Sequence, residues 1–266
     1  MTSHDGYQPD FLRSEVPLPR PTDDRPLRDL SYPHFSVLLD PARRLAVSTG
    51  ANIDGSSLRD VARSGDWYLD SRVPADEQAG NELYRDNDYD RGHLVRRRDP
   101  GWGTAEQARA ATKATFAYPN AAPQAADFNQ SPELWVGLED HVLAYAEARG
   151  LRVSVFTAPV LAPDDPRYRG ILIPRRFWKV AAWDAAEPGA SPRLAAAGFV
   201  LDQTAMLVPA AVPPLAGFRT FQVPIADIAA LADVDLGPLV AADVARATLR
   251  TPQWMPLASL SQVVLA

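Results

Sequence analysis

Apolar positions fall in short runs, and a strand-like and a helix-like period alternate along the chain. Phe35-Ser36-Val37-Leu38-Leu39, the polar residues 40–44 and Leu45-Ala46-Val47-Ser48-Thr49 predict a strand, a turn and a strand. Residues 83–90 are polar and predict a loop, and His93-Leu94-Val95 then predicts a short strand. Residues 104–115 are Ala-rich and predict a helix, with Thr104 as its cap and Gln107 three residues on. Phe116-Ala117-Tyr118 is a second extended piece. The clearest helix starts with Ser131 as N-cap and Pro132 at the first helical position. Leu134, Trp135, Leu138, Val142 and Tyr145 follow at spacings of three and four, giving one apolar face, and Gly150 ends it. Runs at 153–156, 177–181, 197–201 and 221–223 predict further strands, and 225–231 a last helix.

Strands and helices are interspersed without a regular βαβ rhythm. That favours an α+β fold, a central and mostly antiparallel sheet flanked by helices, over a doubly wound sheet. Residues 1–33 are rich in Pro, Asp and Arg without sustained periodicity and are expected to form an extended arm. Residues 34–266 are expected to form a single domain.

Composition narrows the function more than the fold. The chain of 266 residues is 46% hydrophobic and 23% charged, ordinary values for a globular protein. Its 25 prolines keep the elements short. No run of eighteen apolar residues is present, so no membrane span is expected. Residues 1–10 lack an apolar signal core, which suggests a cytoplasmic or already processed chain, with export by another route still open. There is no cysteine, which removes disulfides, thiolate metal sites and cysteine nucleophiles. The net charge of −6 argues mildly against a dedicated duplex-binding protein. A nuclease, however, needs only a local basic groove. Arg91 with Arg96-Arg97-Arg98, and Arg175-Arg176 with Lys179, are the two basic clusters, and taken alone each reads first as a solvated face.

The densest chemistry is Asp90-Arg91-Gly92-His93, followed by Asn120, Gln124, Asn129 and Glu139. It offers a histidine that takes a proton near neutral pH, an adjacent cation, amide oxygens suited to a hard metal ion, and a carboxylate. Those groups suffice to break a phosphodiester bond with Mg²⁺: a base for water, and a metal and a cation for the developing charge. The predicted strands around His93 and Asn120 and the helix from Ser131 make a strand–strand–helix unit that can bring them together.

Four ordered motifs carry a resemblance. They are Asp90-Arg91-Gly92-His93, Asn120-Ala121-Ala122-Pro123-Gln124, Phe128-Asn129-Gln130 and Trp135-Val136-Gly137-Leu138-Glu139. With them the chain resembles the sugar-nonspecific DNA/RNA endonucleases that carry a ββα-metal finger, here at about 88–148. Thr157-Ala158-Pro159-Val160 and Pro174-Arg175-Arg176-Phe177-Trp178-Lys179-Val180 look like two further strands of that family, and the stretch from Asp70 to Arg97 looks like a bacterial subgroup of it.

The resemblance implies an endonuclease that uses Mg²⁺, with Mn²⁺ as a substitute, acts on DNA and RNA, and leaves 5′-phosphates. It implies His93 as general base and Asn129 as direct metal ligand. Glu139 would act through metal-bound water and on the leaving group, Asn120 would hold the site, and Arg91 would support the phosphate. It also implies an upstream arginine on the transition state near Trp67-Tyr68-Leu69-Asp70. Arg63 and Arg72 are its candidates, with Arg63 preferred. Two further residues separate Asn129 from Trp135, compared with the secreted members. Family members are often dimers, and a partner inhibitor is one way a producing cell restrains such an enzyme.

Two other classes compete. A non-catalytic or autoinhibited nucleic-acid-binding module would share the fold, but a lost motif residue would mark it, and none of the four motifs is broken. A metalloprotease or esterase fares worse, with neither H-E-x-x-H nor G-x-S-x-G present.

Overall fold

The computed structural model describes residues 6–63, 65–125, 135–185, 191–207, 219–245, 254–257, 259 and 262–265, except for the side chains of 135–139 and 141. The strands, in chain order, are β1 (Arg20–Pro21), β2 (Arg28–Tyr32), β3 (Phe35–Asp40), β4 (Leu45–Asp54), β5 (Tyr89–His93), β6 (Ala121–Ala125) and β7 (Arg152–Val160). Then come β8 (Arg167–Tyr168), β9 (Ile171–Leu172), β10 (Arg176–Ala185), β11 (Arg193–Asp202), β12 (Arg219–Val223), β13 (Val234–Asp235) and β14 (Met255–Pro256). The helices are α1 (Asn81–Tyr84), α2 (Ala105–Ala114), α3 (Trp135–Arg149) and α4 (Ile225–Ala232).

Eight strands form one sheet in the order β14-β12-β11-β10-β7-β4-β3-β2, and every neighbouring pair is antiparallel. The α+β expectation of a central antiparallel sheet therefore holds. Period-two alternation sends side chains to two cores. On one face lie Val153, Val155, Phe177 and Ala181, with Leu94, Tyr118, Ala122 and, from α3, Val142, Leu143 and Ala146. On the other lie Phe156, Ala158, Trp178 and Val180, with Tyr7, Phe11, Val16 and, from α4, Ile225 and Ile228. Among the described residues no helix is long and apolar enough to cross a membrane.

Several elements differ from expectation for physical reasons. The 1–33 stretch is built into the fold from residue 6 onward: Leu30 and Tyr32 of β2 face the core, and β2 pairs with β3 at the sheet edge. The 83–90 stretch is not all loop, because α1 ends at Tyr84 and β5 begins at Tyr89. The strand expected at 93–95 ends at His93, since the next two amides turn toward Asn120: Leu94 N–H donates to its carbonyl and Val95 N–H to its side-chain oxygen. The partner strand begins at Ala121, not before Asn120, because Tyr118–Asn120 forms a 3-10 turn. The α2 capping box forms as its spacing predicts, with Thr104 Oγ1 accepting from Gln107 N–H and Gln107 Oε1 accepting from Thr104 N–H. Gly150 ends α3 at φ 59°, a conformation that glycine adopts without Cβ strain. The expected Ser131 cap and Pro132 lie outside the described residues.

Candidate active site

β5 and β6 form their own two-stranded antiparallel sheet, with α2 between them in sequence and α3 after them. The register sets His93 opposite Ala121, Arg91 opposite Pro123 and Asp90 opposite Gln124. Residues two apart on a strand share a face, so Arg91 and His93 point the same way. Gly92 lies on the other face, where a Cβ would overlap the Gln124 side chain and meet its Cγ at 2.6 Å. A glycine between arginine and histidine thus lets Gln124 cross the strand closely. The Asp140 carboxylate of α3 accepts from Arg96 at 2.7 Å, which ties the helix to the segment leaving β5.

His93 is packed among aromatics, with its ring centroid 4.6 Å from Trp67 and 5.2 Å, edge on, from Phe116. Its Nε2 is buried and finds no hydrogen-bond partner. Burial, then the charges of Arg63, Arg96 and Arg97, push the imidazole from 6.5 down to about 3. At neutral pH the ring is uncharged, and the same burial and charges make it a weaker base than an imidazole in water.

The sign of the resulting pH dependence follows from proton counting. The unfolded chain takes up the His93 proton near 6.5, whereas the folded chain takes it up only near 3. Between those values the unfolded state binds more protons, so stability falls as pH falls through that window. The His93 share of the slope reaches about 1.4 kcal/mol per pH unit. Urea denaturation at pH 7, 6 and 5 is expected to show a shallower acid loss for His93→Gln than for the wild type. Equal slopes in the two proteins would contradict the assignment.

The remaining expected residues divide. Arg63 lies on the site, its guanidinium carbon 5.7 Å from the Phe116 ring centroid and its charge felt by His93. Arg72 instead grips Asp70 through two nitrogens, at 2.9 and 2.6 Å, and lies over Tyr32. The Arg97 side chain donates to the Val61 carbonyl at 2.5 Å, anchoring the segment that carries Arg63. Arg91 donates to Asn81 Oδ1 at 2.5 Å. Asn120 is fully buried, and its amide is engaged with backbone: Oδ1 accepts from Val95 N–H, and Nδ2 donates to the Val95 and Thr115 carbonyls, each at 2.9 Å. It therefore clamps the turn that follows His93. Asn129 and the Glu139 side chain lie outside the described residues.

The second basic cluster is not a solvated face. Lys179 is buried opposite Thr157 in the middle of the sheet, Arg175 reaches Asp165 at 3.4 Å, and Arg176 reaches Asp202 at 3.1 Å. A residue not anticipated from sequence is Gln203, which is fully buried. It accepts from Ala125 N–H and donates to the Pro123 and Pro174 carbonyls, fastening β6 beside the start of β10. A lone amide after an apolar strand was its only mark in the sequence. Clefts at the far end of β7, lined by Arg25, Val160, Asp165 and Arg176, contain no residue of β5 or β6.

Among the described residues no group of three His, Cys, Asp or Glu could hold a metal ion. Mg²⁺ does not require such a cluster, since it keeps several waters and takes one or two protein oxygens with substrate phosphate. An uncharged, buried and unpartnered His93 Nε2 fits a site in which a water is presented to it.

Comparison with known proteins agrees with this geometry. The family model described as DNA/RNA non-specific endonuclease matches residues 18–243. An uncharacterised protein of Sinorhizobium fredii, y4fB, is 39% identical over 252 residues, covering 84% of this chain and 37% of that protein. The chain thus spans little more than a third of that relative's length. A solved chain from the EndoG/EndoGI complex, described as revealing the mechanism of EndoG inhibition, superposes with TM-score 0.61 at 21% identity. The match covers 81% of this chain and 86% of that one.

Proposed function

Because the chain belongs to the DNA/RNA non-specific endonuclease family, we propose that it is a Mg²⁺-dependent nuclease with His93 as general base, cutting DNA and RNA internally. The observation that carries the reading is the unpartnered Nε2 of His93, on the strand that pairs with the one following Asn120. In the proposed reaction a water oxygen bonds to phosphorus and gives its proton to Nε2. The P–O3′ bond breaks, O3′ takes up a proton from a second water, which Glu139 would position, and a 3′-hydroxyl and a 5′-phosphate result. Arg63 offsets the charge that builds on the phosphate oxygens, and Arg91 supports the backbone. Asn120 keeps His93 in place through the turn it clamps. Asn129 would hold the cation directly, and Glu139 through water. Once bound, a divalent cation stabilises charge on the phosphate and the leaving oxygen. EndoG is the inhibited partner in the EndoG/EndoGI complex, and an inhibitor protein of that kind is the restraint we propose for this chain.

The test is digestion of supercoiled plasmid and of structured RNA with Mg²⁺, with Mn²⁺ and with EDTA. Cutting of both substrates that EDTA stops, with 5′-phosphates at the new ends, is the expected result. Binding without cutting under either metal would replace the enzyme with a binding module.

The two arginine candidates separate cleanly. Arg63→Ala is expected to lower kcat about 10²-fold, the scale of losing one transition-state donor, with Tm nearly unchanged. Arg72→Ala is expected to lower Tm, because it strips a buried Asp70 of its cation, while kcat stays close to wild type. A kcat loss at unchanged Tm for Arg72→Ala would reverse the assignment.

A further inference from the structure

A single exposed leucine needs no explanation, but its place can supply one. Among the described residues, Tyr68 and Leu69 are the large hydrophobic side chains left exposed, at 37% and 45%. In sequence they directly follow Trp67, whose ring packs against His93. Nothing in the active site so far uses either.

Backbone bonds fix this segment. Tyr68 N–H donates to the Phe116 carbonyl at 3.1 Å, and the Tyr68 carbonyl accepts from Tyr118 N–H at 2.9 Å, which makes a parallel bridge to Ala117. Alternation along so extended a piece puts Leu69 on the face of Trp67. Tyr68 takes the other face, in the field of Asp70 and Arg72. Leu69 lies against Gly80, where a Cβ would come within 3.1 Å of its Cδ2. The next residue, Asn81, is exposed and accepts from Arg91 Nη2 at 2.5 Å. Arg91 in turn shares its face of β5 with His93. The contacts thus close a ring through His93, Trp67, Leu69, Gly80, Asn81 and Arg91. The buried Tyr84–Tyr118 stack spans it from Arg91 to Trp67. Leu69 and Asn81 are exposed, and Trp67 and Arg91 partly so, which leaves that side of the ring open to solvent.

We propose that Leu69 is a platform for one unstacked base of the substrate, next to the phosphate backbone that Arg91 supports, and that Asn81 is a positioning residue that directs Arg91. The chemistry of the ledge selects a base over a second phosphate. Leu69 offers only apolar surface, and Glu82 brings a carboxylate beside Gly80, held by Arg44 at 2.8 Å, that would repel another phosphate. A base presents a face that every nucleotide shares, so such a contact needs no particular sequence. That face is available in a single strand and covered in a duplex. The inference rests on the nuclease reading.

The measurement is the Kd by fluorescence anisotropy, in EDTA to prevent cutting, for three fluorescein-labelled probes of equal length: a single strand, an abasic strand and a blunt duplex. Leu69→Ala is expected to raise the Kd of the single strand about fivefold, the scale of uncovering half a leucine side chain, and to leave the abasic strand, the duplex and Tm nearly unchanged. Asn81→Ala is expected to raise the Kd of all three probes and to add nothing in an Arg91→Gln background. An unchanged single-strand Kd for Leu69→Ala, or an equal loss on the abasic strand, overturns the platform. An Asn81→Ala effect that persists undiminished in the Arg91→Gln background removes Asn81 as the guide of that arginine. If the unaltered protein binds none of the probes, the nuclease reading fails and the inference falls with it. That outcome is distinct from a Leu69→Ala variant that binds like the wild type, which removes the platform alone.

Discussion

His93→Ala is expected to lower kcat for plasmid cleavage by about 10³-fold, within the usual contribution of a general base. The reasoning starts from the strand. β5 ends at His93, Asn120 clamps the following turn, and Trp67 and Phe116 fix the ring. A ring so held, with Nε2 left unpartnered, is positioned for the proton of an attacking water. The same packing supplies a control. Truncation opens a space between Trp67 and Phe116, and added imidazole is expected to restore part of the rate by filling it. Imidazole that restores nothing, together with a kcat within about tenfold of wild type, would remove His93 from the base role.

Gly92→Ala is expected to destabilise the protein by about 3 kcal/mol, at the upper end of ordinary overpacking. For a chain of this size that is a fall in Tm of roughly 6–10 °C. The added methyl would overlap a Gln124 side chain that is itself buried, and neither strand can retreat without opening the register that pairs His93 with Ala121. Activity should fall with stability. The obstacle is a side chain, so Gly92→Ala combined with Gln124→Ala should regain most of the lost Tm. Differential scanning calorimetry of the single and double variants reads this directly. A double variant no more stable than the single would place the strain in the backbone instead.

Local patterns were legible in the sequence where the physics is local. The β3–β4 hairpin follows from two apolar runs around a polar turn, and the α2 cap from a spacing of three. The strand pair that carries the candidate base was legible through its two motifs, at 90–93 and 120–124, although α2 separates them in the chain. Residues placed by distant contacts were harder to read. Leu30 and Tyr32 give only two alternating positions, too few to reveal that β2 completes the sheet edge by pairing with β3. Lys179 looked solvated beside two arginines, yet β10 has a neighbouring strand on each side and buries it. The choice between Arg63 and Arg72 depended on a ring more than forty residues downstream in one case and on a carboxylate two residues away in the other. Asn120 was readable as part of the site, but its complete use by backbone groups was not, because those groups lie in the turn after β5 and at the end of α2.

The most direct test of the account is single-turnover cleavage of supercoiled plasmid by the wild type and by His93→Ala, each with Mg²⁺ and with EDTA. The account predicts cutting by the wild type with Mg²⁺ alone, and a cleavage rate about 10³-fold lower for the variant at unchanged plasmid affinity. Wild-type cutting that persists in EDTA, or a variant that cuts as fast as the wild type, would contradict it.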